Sequence, residues 1–265
     1  MYETHYGLQE KPFPTTADPS FLFLSRHHEE AMAHLLYGIR ERLGFLMITG
    51  EVGTGKTTLA KALVEKLEAP AKSALILNPT LSGKELLVSI LQDFGSTPNG
   101  STRGQLLATM ERFLLKIAQA GSVGVLIVDE AQALMTGTLE QIRLLSNVET
   151  PKAKLLQIVL VGQPELSERL AKNHRLRALN QRIAIRYQIK PLAEKEVALY
   201  IEHRLRKAGR ENPLFTEGAI TAIAKASDGI PRRINLLCDR ALLAGFVREV
   251  KTIDETVVKE EGGLT

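Results

Sequence analysis

GEVGTGKT, Gly50 to Thr57, decides how the rest of the chain is read. It fills the spacing G-x-x-x-x-G-K-[ST] with Gly50, Gly55, Lys56 and Thr57, a pattern whose backbone N–H groups cradle phosphates at the start of a helix. Its flanks suit that geometry. Gly44–Ile48 is a short apolar run that predicts a strand, and Lys56–Leu67 carries apolar residues at spacings of three and four, which predicts a helix. Lys56 would neutralise β and γ phosphates, and the Thr57 hydroxyl would serve Mg²⁺, a cation that prefers oxygen ligands. Gly50, Glu51, Val52, Gly53, Thr54, Gly55, Lys56, Thr57 and Thr58 are therefore the predicted nucleotide contacts. The plain alternative is an ordinary glycine-rich turn, and the complete pattern between a strand and a helix argues against it.

Working outward, further runs rich in Val, Ile and Leu lie at Ser73–Asn78, Val123–Val128, Leu155–Val161 and Ala184–Gln188. Such runs are expected of strands buried on both faces of a parallel sheet. Between them, Gly83–Asp93, Arg103–Gln119 and Gly137–Asn147 have helical periodicity, and another helix, about His28–Glu41, precedes the first strand. Strand and helix alternate, so the fold class is α/β with a parallel five-stranded sheet. After Pro191 the strand signals stop, and helical patterns follow near Glu194–Ala208, Thr216–Ala226 and Arg232–Arg248. The expected organisation is an N-terminal segment (1–27), an α/β core (28–191) and a C-terminal all-helical domain (192–265).

The run GVLIVDEAQAL ends its strand at Asp129 and Glu130, placed so that the first and third strands present their carboxyl ends together, where open parallel sheets bind ligands. Asp129 would hold Mg²⁺ with Thr57, and Glu130 would polarise the water for in-line phosphoryl transfer. Alone, two acids after a strand read as a charge pair at a helix start. Beside the phosphate loop they read as catalytic. The tetrad Asp129-Glu130-Ala131-Gln132 also resembles the DEAQ and DEAH boxes of helicases, but those need a second sheet domain, and the helical stretch after Pro191 is too short for one.

The fourth strand ends in Gly162-Gln163, and Gln163 would project an amide toward the γ phosphate or the attacking water, or else meet only solvent. Arg182, just before the fifth strand, is placed to reach a neighbouring subunit's γ phosphate as a trans finger, with Arg175 and Arg177 as substitutes. The other reading of Arg182 is a surface arginine paired with a carboxylate. Arg232, in GIPRRIN at the start of the last long helix, would point into the cleft between sheet and helical domains and sense phosphate charge, whereas Arg233 faces solvent. A local salt bridge at the helix start is the alternative for Arg232.

The composition sets the outer limits. In 265 residues, 44% hydrophobic and 24% charged, whole-chain disorder is excluded. Cys238 is the only cysteine, which excludes an intramolecular disulfide and suits a reducing, cytoplasmic setting. No apolar run approaches the roughly 20 residues of a membrane span, and the N-terminus MYETHYGLQEKPF lacks the basic end and apolar run of a signal peptide. The formal charge of +4 is concentrated, because residues 164–250 hold 17 Lys and Arg against 10 Asp and Glu. That leaves the remainder net negative.

Phosphate loop, Asp-Glu strand end, polar residue after the fourth strand, arginine before the fifth and arginine in a helical lid follow the order of the AAA+ ATPases. More closely, YGLQEKPF, DPSFLFLS, HHEEAMAHLLYGI, GEVGTGKTT, VDEAQAL, VGQPEL and GIPRRINLLCDRALL resemble the ExeA/GspA-type secretion ATPases and their relatives in pilus and exopolysaccharide loci. The resemblance implies a P-loop AAA+ fold with a helical lid, ATP and Mg²⁺ as ligands, and ATP hydrolysis. Gln163 and Arg232 would take the two sensor positions, and residues Phe23 to His28 would border the adenine. It further implies a homo-oligomer, ring or filament, at the cytoplasmic side of an inner-membrane partner. Members of this type continue into a membrane helix and a peptidoglycan-binding module. This sequence stops at Thr265, as a soluble member or the ATPase portion of a longer one would. A similar core resembles transposition regulators that form ATP-dependent filaments on DNA, and the basic stretch keeps DNA as the alternative partner. A nucleotide switch that scarcely hydrolyses is a third reading, opposed by the intact Asp129-Glu130 pair.

Overall fold

The computed structural model describes residues 1–14, 16, 18–67, 71–77, 81–100, 102–151 and 153–261. Asn78, the expected end of the second strand, and residues 262–265 lie outside them. The chain divides into a sheet unit, residues 27–52 with 56–189, and a helical unit, residues 1–26, 53–55 and 190–265.

In chain order the elements are α1 (Tyr2–Tyr6), α2 (Arg26–Arg40), β1 (Phe45–Gly50), α3 (Lys56–Lys66), β2 (Lys72–Ile76), α4 (Gly83–Asp93), α5 (Arg103–Gln119), β3 (Gly124–Val128) and α6 (Thr136–Leu145). There follow β4 (Leu156–Gly162), α7 (Pro164–Lys172), α8 (Arg177–Arg182), β5 (Ile183–Ile189), α9 (Glu194–Lys207), α10 (Glu217–Ser227), α11 (Pro231–Val247) and α12 (Glu255–Glu261). A minimal antiparallel hairpin pairs Glu149–Thr150 with Ala153–Lys154.

The sheet unit is built on a five-stranded parallel sheet of order β2-β3-β4-β1-β5. Every residue of β1, β3 and β4 is buried, as their largely apolar runs require, and the one amide among them, Gln157, accepts from the Gly44 N–H and donates to the Lys154 carbonyl. Phe45 and Met47 of β1 join the main core with Ile90, Leu106, Leu126 and Ile158. Leu46 points the other way onto α2, where a Cβ on Gly38 would come within 2.5 Å of its side chain. Each such buried Leu or Ile contributes about 1.5–3 kcal/mol. One expectation needs correcting. Burial on both faces fails at the edges, where β5 exposes the alternate residues Ala184, Arg186 and Gln188 and β2 exposes Lys72 at its start. Between β1 and β3, whose carboxyl ends were expected together, lies β4. The carboxyl ends that meet are those of β3, β4 and β1, in register through Val128 opposite Leu160 and Thr49 opposite Gly162.

Local chemistry starts the outer helices. Ser82 and Glu85 form a reciprocal capping box on α4, and Thr102 and Gln105 form another on α5. α7 was not legible as a helix, because only Leu166 and Leu170 of its nine residues are buried.

In the helical unit, α9 to α12 share a core with the N-terminal segment, which contributes Tyr2, Tyr6, Leu8 and Phe13 beside Val197, Ile201, Ile223, Ile234 and Leu242. The buried Arg204 guanidinium ties the segment down, donating to the Pro12 carbonyl at 2.7 Å and the Pro14 carbonyl at 3.3 Å. Gly229 sits at φ +69°, and a Cβ there would lie 2.1 Å from the Leu192 carbonyl oxygen, so only glycine serves at the entry to α11. Among the described residues, no helix is long and apolar enough to cross a membrane.

Candidate nucleotide site

The chain leaves β1 at Gly50 and enters α3 at Lys56, and between them Gly53 and Gly55 take φ +85° and +91°. These left-handed conformations cost glycine little and turn the backbone sharply enough for N–H groups to face a ligand at the helix start. Thr54 is buried within the loop, whereas Glu51 and Val52 are exposed. The Lys56 ammonium donates to the Gly50 and Glu51 carbonyls, both at 2.9 Å. Burial pushes its pKa down, with the carboxylates of Glu130, Asp129, Glu51 and Glu165 opposing that shift.

Asp129 follows β3 and is buried. Its Oδ2 accepts from the Thr57 hydroxyl at 2.5 Å, and its Oδ1 accepts from the Glu130 N–H at 2.9 Å. Desolvation raises its pKa, against these hydrogen bonds. A hydroxyl and a carboxylate held together, both oxygen donors, fit a magnesium ion.

Glu130 is half-buried and stands in the left-handed region at φ 50°, ψ 36°, an uncommon conformation for a residue with a Cβ. Its Oε2 accepts from the Gln132 amide, and Gln163 Nε2 lies 3.4 Å from the same oxygen. Gln132 Oε1 in turn accepts from the Gln163 backbone N–H at 3.0 Å. Sequence reading treated Gln132 only as a letter of the tetrad. It missed Arg169 altogether, whose guanidinium donates to the carbonyls of Gln132 at 3.1 Å and Leu134 at 2.6 Å and to the Thr136 hydroxyl at 3.0 Å. The spacing of three between Asp129 and Gln132 was a visible signal. An arginine in α7 carried none.

Arg182 ends α8 half-buried, without a carboxylate partner among the described residues. Its guanidinium donates to Asn147 Oδ1 at 2.7 Å and Ser146 Oγ at 3.0 Å, and lies 3.5 Å from the Arg143 carbonyl, so it covers the carboxyl end of α6. Arg175 and Arg177 are exposed. In the helical unit the Arg232 side chain is exposed, while its backbone N–H donates to the Gly53 carbonyl at 3.2 Å. The helix-start salt bridge belongs to Arg233, with Asp228 at 2.6 Å. Of the residues expected near adenine, Phe23 packs edge-on to Tyr200 in the helical unit, and His27 meets the Tyr187 hydroxyl at 2.8 Å in the sheet unit.

Comparison with known proteins bears on this geometry. The AAA domain family matches residues 39–170. General secretion pathway protein A of Aeromonas hydrophila is 46% identical over 249 residues, 94% of this chain. The chain is an AAA-domain protein related to general secretion pathway protein A. It spans 45% of the length of that Aeromonas relative. Among solved structures, the Aeropyrum pernix ORC2 protein, in ADPNP and ADP complexes, superposes with a TM-score of 0.68 at 17% identity, over 89% of this AAA+ chain and 66% of that one. Drosophila ORC bound to DNA gives 0.69 at 23% identity, over 96% of this chain and 63% of that one. At such identities these two likenesses bear on the AAA+ fold alone.

Proposed function

We propose that this chain binds and hydrolyses ATP with Mg²⁺ as the motor or switch of a homo-oligomer, at the cytoplasmic side of a type II secretion, pilus or exopolysaccharide assembly. The observation that carries the chemistry is the contact of Thr57 with Asp129 at the strand ends, with Lys56 and Glu130 beside it in sequence. The loop amides of residues 50–58 and the Lys56 ammonium would bind the phosphates. Thr57 and Asp129 would hold the magnesium, which when bound supplies positive charge to the phosphate oxygens. Glu130 would orient the attacking water, Gln163 and Arg232 would meet the γ phosphate, and Arg182 would serve the neighbouring subunit. The similarity to the Aeromonas protein supports the secretion setting and a partner in the inner membrane. Phosphate release from ATP by the purified chain, with and without Mg²⁺, tests the chemistry. Absence of magnesium-dependent turnover under conditions where the protein self-associates would reduce the reading to a nucleotide switch.

A second reading is an ATPase that regulates transposition on DNA. The excess of Lys and Arg in residues 164–250 favours it. Duplex binding that requires ATP and weakens steeply with salt would select this reading. Salt-independent or absent binding would leave the secretion role.

A further inference from the structure

We infer that Gln132 is a positioning residue that sets the orientation of the Glu130 carboxylate, an inference that rests on the hydrolysis proposed above. The bonding fixes which way its amide points. The Gln163 backbone N–H can only donate, so the Gln132 atom facing it at 3.0 Å is the carbonyl oxygen. That leaves the Gln132 NH₂ facing Glu130 Oε2, which as a carboxylate only accepts. Turning the amide over would set donor against donor at one end and acceptor against acceptor at the other. Gln132 thus bridges the end of β3 to the end of β4 in a single orientation.

The surroundings are shaped for this bridge. A Cβ on Gly162 would fall 2.8 Å from Gln132 Oε1, so the glycine before Gln163 leaves the space the amide occupies. Arg169 holds the backbone on both sides of Ala133, through the carbonyls of Gln132 and Leu134. The Ala133 N–H donates to the Glu130 carbonyl at 2.8 Å, closing the turn that the left-handed Glu130 begins. A left-handed residue with a Cβ costs of order 1–3 kcal/mol and persists where its neighbours dictate it.

Gln163 cannot do the same work. Its amide reaches Glu130 at 3.4 Å, a weak contact, and in the proposed reaction it turns to the phosphate. Gln132 is anchored by the Gln163 backbone instead of its side chain, so it keeps hold of Glu130 whichever way the Gln163 side chain faces.

The test replaces Gln132 by Met, which keeps the length of the side chain and removes both amide functions, and by Ala. ATP affinity by calorimetry should stay within about twofold, because Lys56, Thr57 and Asp129 are untouched. kcat should fall about 10- to 100-fold, the usual effect of removing a group that orients an active-site side chain, with KM little changed. In a Glu130→Gln background, adding Gln132→Met should lower the residual rate no further, since a positioning residue acts through its partner. Placement is read separately, by the Gln132 side-chain amide resonance in the nucleotide-free protein. It should shift in Glu130→Ala and hold in Lys56→Ala. An unchanged or raised kcat in Gln132→Met, or a resonance indifferent to Glu130→Ala, would overturn the inference. A parent protein with no turnover, but with the resonance still dependent on Glu130, would overturn the hydrolysis reading and the role of Gln132 in it, leaving only the contact.

Discussion

Thr57 and Asp129 stand 72 residues apart in the chain, yet the hydroxyl of one donates to the carboxylate of the other at 2.5 Å, joining the first turn of α3 to the end of β3. The contact satisfies a buried charge only in part. Desolvation still raises the Asp129 pKa above its ordinary 3.8, so in the absence of metal the folded protein holds a carboxylate that would be better placed in water.

That cost gives the first prediction. A carboxyl group whose pKa is higher folded than unfolded adds stability when protonated, fully below the unfolded value, and loses it as pH rises through the folded one. At pH 7 the raised pKa of Asp129 therefore costs the metal-free protein stability. Asp129→Asn should raise the Tm without nucleotide at pH 7, lose that advantage as the pH falls below the folded pKa, and weaken Mg-ATP binding. Calorimetric melting across pH checks it, and a lower Tm for the variant at pH 7 would count against the desolvation argument.

Lys56 gives the second. Its ammonium already bonds the Gly50 and Glu51 carbonyls at 2.9 Å, so the cation is held at the loop before any phosphate arrives. A hydrogen bond to a charged group contributes about 1.5–3 kcal/mol, so Lys56→Ala should weaken ATP binding by roughly 10- to 150-fold or more. Isothermal titration measures it. Equal affinity in variant and parent would remove Lys56 from the phosphate site.

Glu130 gives the third. The Glu130→Gln side chain keeps the shape and removes the charge that would polarise water, while Asp129 and Thr57 still hold metal. Nucleotide should bind with parental affinity, and turnover should fall by at least the 10²- to 10⁴-fold that a general base supplies. Turnover at the parent rate would assign the base elsewhere.

The turn between β1 and α3 and the strands around it were legible because each has a local signature, glycines at fixed spacing or runs rich in Val, Ile and Leu. What escaped was long-range. Nothing near Tyr2 announces that its hydroxyl donates to Asp239, and nothing near Pro12 announces Arg204, 192 residues away, so the first residues were read as a separate segment. Strand order escaped for the same reason. The sequence lists β1 before β3 and β4, but β4 inserts between them, and this insertion brings Gln163 to Glu130 and Gln132.

Arg204 gives the fourth prediction. With its guanidinium on the carbonyls of Pro12 and Pro14 and 4.6 Å from the Phe21 ring centroid, it fastens the N-terminal segment to α9. Arg204→Ala should destabilise the helical unit by about 2–4 kcal/mol, through lost charged hydrogen bonds and carbonyls left unsatisfied. Limited proteolysis should then cut within residues 1–26 well before the parent is cut there. Identical digestion of both proteins would show that the apolar contacts of Tyr2, Tyr6, Leu8 and Phe13 suffice.

The last prediction concerns Arg182. Its guanidinium is engaged at the end of α6, by Asn147 Oδ1 at 2.7 Å and Ser146 Oγ at 3.0 Å, so trans action requires these two uncharged acceptors to be exchanged for a neighbour's phosphate. A phosphate adds a negative charge opposite the guanidinium and accepts two parallel N–H bonds, which the Asn and Ser oxygens do not, so the exchange is favourable once a subunit with bound ATP is at hand. Specific activity should then rise with protein concentration. Arg182→Ala should bind ATP normally and lose about 10³-fold or more in turnover, the contribution a trans arginine makes. Mixing gives the sharper reading. Arg182→Ala subunits have an intact Glu130, and Glu130→Gln subunits have an intact Arg182, so the mixture should regain activity that neither shows alone. A mixture as inactive as its parts would restrict Arg182 to covering α6. In that event Arg177→Ala and Arg175→Ala, at exposed positions just upstream, become the variants in which the same complementation is sought.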